Sequence, residues 1–86
     1  MTPPWDDRFE SLMRDALRLL EPGAPLLPDL RTVDHGLDSL AMVGLMLSIE
    51  DAYGISMPDD LVEPRLFSTP GRLWGFVSEL RDTQVR

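Results

Sequence analysis

Prolines and glycines break this sequence at positions that leave three segments with the apolar spacing of an amphipathic helix. None of these segments alternates apolar and polar residues as a β-strand does. The first segment ends at Pro22 and Gly23, and its apolar positions recur every three or four residues: Phe9, Leu12, Met13, Ala16, Leu19 and Leu20. We therefore predict a first helix over residues 7–20, with Asp7 and Glu10 forming a capping box.

A proline-rich stretch, "EPGAPLLPDLRTVDHG", follows the first segment and is predicted to be a long ordered loop. Its expected anchors to the core are Leu26, Leu27, Leu30 and Val33. A loop of this length in so short a chain suggests function. The next segment is predicted to form a second helix over residues 38–53, with Asp38 as its N-cap and Gly54 permitting a left-handed turn after it.

The last part of the chain is predicted to contain a short helix and a long one. Pro58 and Pro64 stand close together and leave room only for a short helix over residues 59–67. Thr69 as N-cap and Pro70 at the first helical position mark a longer helix over residues 70–82. Residues 1–86 are thus predicted to form one all-α domain. Its architecture is a small four-helix bundle of three main helices and one short helix, with the long loop between helices one and two.

The composition restricts the classes of partner and of stabilising chemistry. Without cysteine, an 86-residue chain has no disulfides or thiolate metal sites, so packing alone must stabilise it, and a reducing compartment is favoured. The net charge of −7 disfavours nucleic acid and anionic membrane surfaces. The sequence shows neither a signal peptide nor an apolar stretch long enough to span a bilayer. We therefore expect a cytoplasmic monomer that binds no nucleic acid, membrane or metal ion.

The predicted second helix carries more apolar residues than one core-facing side requires. At 100° per residue, one stripe faces the core and consists of Met42, Leu45, Met46, Ile49 and Tyr53. A second apolar stripe lies on a different side of the helix, beside acidic residues. Apolar patches rimmed by acids are typical of transient docking surfaces. The predicted docking residues are Leu40, Val43, Gly44, Leu47, Glu50 and Asp51. The short helix could equally cover Val43.

Ser39 stands at the start of this second helix, and its hydroxyl admits several interpretations. A nucleophilic serine is disfavoured because the surrounding sequence is not G-x-S-x-G and the only histidine, His35, has no evident orienting acid. An EF-hand calcium loop fails because Ser39 and Leu45 occupy the positions that require glycine and glutamate. Two possibilities remain. Ser39 helps to cap the helix, or it is modified, and a phosphate ester would be favoured at a helix N-terminus.

The stretch "HGLDSLAMVGLMLSIEDAYGISMP" resembles the attachment region of acyl and peptidyl carrier proteins, with its G-[LAIV]-D-S-L pattern and the aromatic, glycine, aliphatic and proline residues after the helix. "DDLVEPRLFSTPGRLWGFV" is similar to the last two helices of that family, so the resemblance covers essentially the whole chain. It implies that Ser39 carries 4′-phosphopantetheine, installed from coenzyme A by a phosphopantetheinyl transferase. The residues implied to frame this serine are Gly36, Leu37, Asp38 and Leu40. Asp38 is further implied to help place the magnesium ion that the transferase uses.

Departures from fatty-acid carriers bear on the expected pathway. Ala41 and Gly44 stand where those carriers usually have acids, and His35 stands where many have leucine. The resemblance therefore favours a non-enzymatic, free-standing acyl or aminoacyl carrier of specialised polyketide or hybrid polyketide and nonribosomal peptide biosynthesis, as in antibiotic pathways. The initial methionine and the polar C-terminal tail favour a separate polypeptide. Its implied partners are the transferase, an acyl or aminoacyl ligase or acyltransferase, and synthase enzymes. The alternative is a helical adaptor that docks through Leu40 and Leu47 without a prosthetic group.

Overall fold

The computed structural model describes residues 3–58 and 63–84 of the chain. The described residues form three α-helices: α1 over Asp7–Ala16, α2 over Ser39–Tyr53 and α3 over Pro70–Gln84. Two 3₁₀ turns lie between the helices: a first turn over Thr32–His35 and a second turn over Pro64–Phe67. No β-strand occurs within these ranges, which confirms the predicted all-α class.

The predicted short helix over residues 59–67 is not confirmed. Residues 59–62 lie outside the described part of the chain, and the rest of the segment is a single 3₁₀ turn. Pro64 begins this turn, and the amide of Ser68 closes it by donating to the carbonyl oxygen of Arg65 at 3.1 Å. Pro70 follows two residues later and disfavours a helical conformation of the residue before it, so the turn does not continue into α3.

Helix α1 ends at Ala16, four residues before the predicted end at residue 20. Leu17 leaves the helical conformation at φ −89° and ψ 74°, and its side chain is fully buried. The amide of Leu19 then donates to the carbonyl oxygen of His35 at 3.0 Å. The long loop thus provides the acceptor that a further helical turn would have provided. Leu19, predicted to lie on the apolar face of the helix, is exposed as a result.

The start of α1 is capped differently from the predicted capping box. Asp6 is the N-cap, and its Oδ1 accepts the amide of Phe9 at 2.9 Å. The prediction of Asp7 with Glu10 is therefore wrong by one residue, and Glu10 instead accepts the indole Nε1 of Trp5 at 3.0 Å. This bond holds Trp5 beside Phe9, with their ring centroids 5.6 Å apart. Trp5, which precedes the helix, is therefore part of the hydrophobic core.

One hydrophobic core receives side chains from every helix and from the segments between them. In the predicted core-facing stripe of α2, Leu45 and Ile49 are buried, whereas Met42, Met46 and Tyr53 are half-buried. The buried apolar side chains among the described residues are Trp5, Phe9, Met13, Leu17, Leu26, Leu37, Leu45, Ile49, Ile55, Met57, Phe67, Leu73, Val77 and Leu80. Leu26 and Leu37 belong to the long loop, so this loop is packed as part of the core.

Two of the four predicted loop anchors are wrong. Leu26 is buried and Leu30 is half-buried, but Leu27 and Val33 are exposed. Val33 is exposed because it lies in the first 3₁₀ turn, where its neighbour Thr32 faces the interior instead. A polar residue thus provides an anchor that the apolar pattern assigned to valine.

Thr32 fastens the loop to the chain that leads into α3. Its hydroxyl donates to the carbonyl oxygen of Phe67, and its amide donates to the carbonyl oxygen of Ser68 at 3.0 Å. The amide of Gly71 also donates to the carbonyl oxygen of Pro28 at 2.9 Å. A Cβ at Gly71 would lie 2.9 Å from that same oxygen, so the close approach requires glycine. These bonds fix the loop that carries the chain to Ser39, which follows it.

Tyr53, the last residue of α2, closes the end of the bundle away from Ser39. Its phenol donates to Oδ1 of Asp6 at 2.6 Å, and the guanidinium of Arg81 lies 4.8 Å from its ring centroid. Burial, and then the hydrogen bond to Asp6, raise the pKa of Tyr53 above its ordinary value. Burial also raises the pKa of Asp6, but hydrogen bonds from Tyr53 and Phe9 and the nearby arginines outweigh it and lower that pKa. The cluster joins three helices, about 20 Å along α2 from its start.

Candidate functional site

Gly36 ends the first 3₁₀ turn in the left-handed conformation, with φ 97°. A Cβ at this position would lie 3.1 Å from Cγ and 3.2 Å from the backbone nitrogen of Leu19. Both the positive φ and the close approach of the chain after α1 therefore favour glycine. The glycine of the "GLDSL" motif sets the direction in which the loop enters α2.

Leu37 and Asp38, the next two residues of the motif, determine where α2 starts. Leu37 is buried and anchors the end of the loop to the core. Asp38 has an extended backbone, and its Oδ1 accepts the amide of Ala41 at 2.8 Å. Asp38 is thus the N-cap, as predicted, and Ser39 becomes the first residue of the helix rather than its cap. At the other end, Gly54 has φ 64° and provides the predicted left-handed turn.

The side chain of Ser39 is exposed at the first position of α2. No hydrogen bond engages it within the described part of the chain. The amides of the first helical turn have no acceptors within the helix, and together with the helix dipole they favour an anion at this end. A phosphate ester on Ser39 therefore fits the local backbone and its electrostatics.

An arginine from the other side of the loop contacts the N-cap residue. Arg18 donates from one guanidinium NH₂ group to Oδ2 of Asp38 at 3.2 Å, and both side chains are largely exposed. Both carboxylate oxygens of Asp38 are therefore engaged, one by the helix and one by Arg18. Sequence reasoning missed this pair because the two residues are 20 positions apart and no local pattern links them.

The predicted docking stripe on α2 is exposed along its length. Leu40, Val43 and Leu47 are 85%, 51% and 56% exposed, so about half of the Val43 side chain is left uncovered by the described part of the chain. Gly44 and Asp51 are exposed as well. Glu50 is the exception among the predicted docking residues. It is half-buried, and its Oε2 accepts the amide of Met57 at 2.8 Å, which gives it a structural role.

Two exposed apolar side chains that sequence reasoning did not assign to this region also lie beside the loop before Ser39. Leu19 is 70% exposed and its backbone contacts both His35 and Gly36. Val33 is 66% exposed on the first 3₁₀ turn. Exposed apolar side chains therefore occur on the loop before Ser39 as well as on α2. The only sequence signal for it was the length of the loop itself.

Two other kinds of site are absent from the described residues. No helix in these ranges is both long and apolar enough to cross a membrane. No group of three or more histidine or acidic side chains in the same ranges could hold a metal ion.

Comparison with known proteins relates this geometry to a family. A family model described as the phosphopantetheine attachment site matches residues 6–77. The match runs from the N-cap of α1 to the middle of α3 and includes Ser39 and the residues on either side of it. A search of curated proteins found no match.

Proposed function

The chain belongs to the phosphopantetheine-attachment family, whose members carry a covalent 4′-phosphopantetheine group, and we propose that Ser39 is the attachment residue of an acyl or aminoacyl carrier protein. The observation that carries this proposal is the exposed Ser39 hydroxyl at the first position of α2, without a hydrogen-bond partner in the described part of the chain. Gly36, Leu37 and Asp38 support it by fixing the backbone on which that hydroxyl is presented.

Attachment requires one substitution at phosphorus. Oγ of Ser39 forms a bond to the pantetheine-bearing phosphorus of coenzyme A, the pyrophosphate P–O bond breaks, and adenosine 3′,5′-bisphosphate leaves. The hydroxyl proton passes to a base of the transferase. When attached, the group supplies a terminal thiol that holds cargo as a thioester. The chain itself orients the hydroxyl and favours the phosphate charge through the amides of the first helical turn.

The exposed stripe on α2 is proposed as the surface that partner enzymes bind. Leu40, Val43 and Leu47 follow Ser39 along the same helix, so a partner that reaches the attachment point also meets them. Binding must be weak enough for release, and transient encounters of this kind usually bury less than about 1,200 Å². The proposed partners are a phosphopantetheinyl transferase, a loading ligase or acyltransferase, and the synthase enzymes of a specialised polyketide or hybrid peptide pathway.

Intact mass spectrometry tests the proposed function. The protein is incubated with coenzyme A, magnesium and a broad-specificity phosphopantetheinyl transferase, and it is expected to gain the mass of one phosphopantetheine. Fragmentation of the modified peptide should place the added mass on Ser39. A folded protein that keeps its original mass would contradict the proposal and favour the adaptor, which would use the Leu40 and Leu47 surface without a prosthetic group.

Replacing Leu47 by aspartate is expected to weaken docking without unfolding the protein. The side chain is more than half exposed, so the free energy of unfolding should change by no more than about 0.5 kcal/mol. If Leu47 is central to the interface, kcat/KM for transferase loading should fall at least about fivefold, which corresponds to about 1 kcal/mol of binding. Leu27→Asp is the matched control, since Leu27 is a similarly exposed leucine outside the stripe. Equal loading of both variants would remove Leu47 from the docking surface.

Replacing Arg18 by alanine is expected to accelerate attachment. In this proposal Asp38 helps the transferase to place magnesium, and the ion pair with Arg18 at 3.2 Å competes for the same carboxylate. Exposed pairs of this kind are worth about 0.2–1 kcal/mol, so kcat/KM should rise by about 1.5- to fivefold at limiting magnesium. Arg14→Ala is the control, because Arg14 pairs with Glu10 instead. An unchanged or lower rate for Arg18→Ala alone would contradict the competition.

A further inference from the structure

Arg18 lies between the end of α1 and the loop that leads to Ser39, and its backbone is fixed by the residues around it. Leu17 before it is fully buried, and the amide of Leu19 after it donates to a carbonyl oxygen of the first 3₁₀ turn at 3.0 Å. A Cβ at Gly36 would lie 3.5 Å from the backbone nitrogen of Arg18 itself. The arginine is therefore held against the glycine that stands three residues before Ser39.

The guanidinium group of Arg18 keeps most of its N–H donors unused. One NH₂ group donates to Oδ2 of Asp38 at 3.2 Å, which is longer than the about 2.7–2.9 Å usual for a charge-assisted hydrogen bond. The two side chains are 66% and 58% exposed, so solvent reaches both of them. Among residues 3–58 and 63–84, no other group accepts a hydrogen bond from this guanidinium. Its donors form a planar fork, so the remaining ones are available to a second acceptor.

The proposed attachment places an anion beside this ion pair. It leaves a phosphodiester on Oγ of Ser39, and a phosphodiester is ionised at neutral pH. Ser39 directly follows Asp38 in the chain, and consecutive Cα atoms lie about 3.8 Å apart. Two anions on adjacent residues repel each other unless a cation pairs with both of them.

Within the described part of the chain, Arg18 is the cation that contacts the N-cap carboxylate. No other basic side chain in these ranges forms an ion pair with Asp38. Arg31, which precedes the first 3₁₀ turn, pairs with Asp34 at 3.5 Å instead. A guanidinium can bridge a carboxylate and a phosphate because its parallel donors reach oxygens of separate groups. Arg18 therefore fits the phosphate of an arm attached to the next residue.

We propose that Arg18 binds the phosphodiester of the attached arm while it remains beside Asp38, and that it thereby fixes the direction in which the arm leaves Ser39. The inference rests on the proposed function and deepens it, because it assigns a residue of the chain itself to the phosphate of the prosthetic group. Arg18 is a positioning residue in this role and takes no part in forming the bond to Ser39. Its pairing with Asp38 before attachment and its contact with the phosphate afterwards are separate effects.

The experiment compares what attachment changes in the original sequence with what it changes in Arg18→Gln. Each protein is prepared unmodified and fully loaded with the arm alone, and intact mass with fragmentation confirms one phosphopantetheine on Ser39. Thermal unfolding then measures the shift in Tm on attachment. This shift should be more positive in the original sequence than in Arg18→Gln by about 1–8 °C, as expected for an exposed ion pair in a domain of this size. The difference should shrink at about 1 M salt, where exposed charges are screened.

Nuclear magnetic resonance provides a readout that a purely structural role of Arg18 would not change. In the ¹⁵N-labelled original sequence, the Nε–H resonance of Arg18 should shift on attachment. The ³¹P resonance of the loaded protein should lie at a different position in Arg18→Gln, because the phosphate loses its partner. Arg18→Lys keeps the charge without the planar fork and should retain part of the difference in Tm.

Arg31→Gln is the matched control, because it also removes an exposed arginine that pairs with an aspartate before α2. It should leave the shift in Tm on attachment and the ³¹P resonance as they are in the original sequence. Three results would overturn the inference: equal shifts in Tm for the original sequence and Arg18→Gln, a ³¹P resonance unchanged in Arg18→Gln, or the same effects from Arg31→Gln. In each of them Ser39 is still loaded and the proposed function stands. Failure of the mass gain would instead overturn the proposed function and this inference with it.

Discussion

Replacing Ser39 by alanine is expected to abolish attachment of phosphopantetheine and to leave the fold unchanged. The helix does not depend on this hydroxyl, because Asp38 is the N-cap and no hydrogen bond engages the Ser39 side chain among the described residues. The change in unfolding free energy should therefore stay within about 0.5 kcal/mol. Intact mass after incubation with coenzyme A and the transferase measures the first effect, and thermal unfolding measures the second.

Ser48→Ala is the matched control for this substitution. Ser48 is also an exposed serine of α2, but it lies nine residues further along the helix, away from the motif and from the helix N-terminus. This variant should load as the unmodified sequence does. If Ser39→Ala still gained the mass of one phosphopantetheine, attachment would lie at another residue, and the role proposed for Arg18 would fail with it.

Features that depend on a few neighbouring residues could be predicted from the sequence. The N-cap at Asp38, the left-handed turn at Gly54 and the hydrogen bond from the amide of Arg72 to Oγ1 of Thr69 each involve residues within four positions. Local backbone geometry and side-chain length decide such contacts, so the sequence pattern alone indicates them. The cap by Asp38 just before Ser39 belongs to this class, whereas the need for glycine at position 36 also reflects the close approach of Leu19.

Features that depend on distant partners could not be predicted. Helix α1 ends at Ala16 because Leu19 bonds to His35, and Gly71 is required because Pro28 approaches it from the loop. In each case the local sequence permits the expected structure, and a contact from elsewhere in the chain overrides it. The same holds for the pair of Arg18 with Asp38, which are 20 positions apart.

The helical period assigned most of α2 correctly but could not assign every side chain. It separated buried Ile49 from exposed Leu47, two residues apart, because a 100° rotation per residue places them on different faces. It placed Glu50 on the docking surface, whereas this carboxylate accepts the amide of Met57 beyond the end of the helix. Periodicity gives the face of a helix on which a residue lies. It does not show which distant group that residue meets there.

The substitution with the largest expected effect on stability is Ile49→Ala. Ile49 has no exposed surface, and truncation of a buried isoleucine to alanine costs about 2–5 kcal/mol through lost burial and an unfilled cavity. Thermal unfolding should therefore shift downward by about 10–30 °C for a domain of this size, since each kcal/mol corresponds to several degrees.

The matched control is Leu47→Ala, which removes a similar side chain from the exposed stripe and should change the unfolding free energy by no more than about 0.5 kcal/mol. Similar losses in the two variants would mean that Leu47 is also packed in the folded protein, and the docking stripe would then have to be abandoned. A small loss of unfolding free energy in Ile49→Ala would mean that the buried side of α2, with Leu45 and Ile49, does not stabilise its packing against the core. If the contrast holds, the two faces of α2 have separate roles, because one determines stability while the other can vary with the partner.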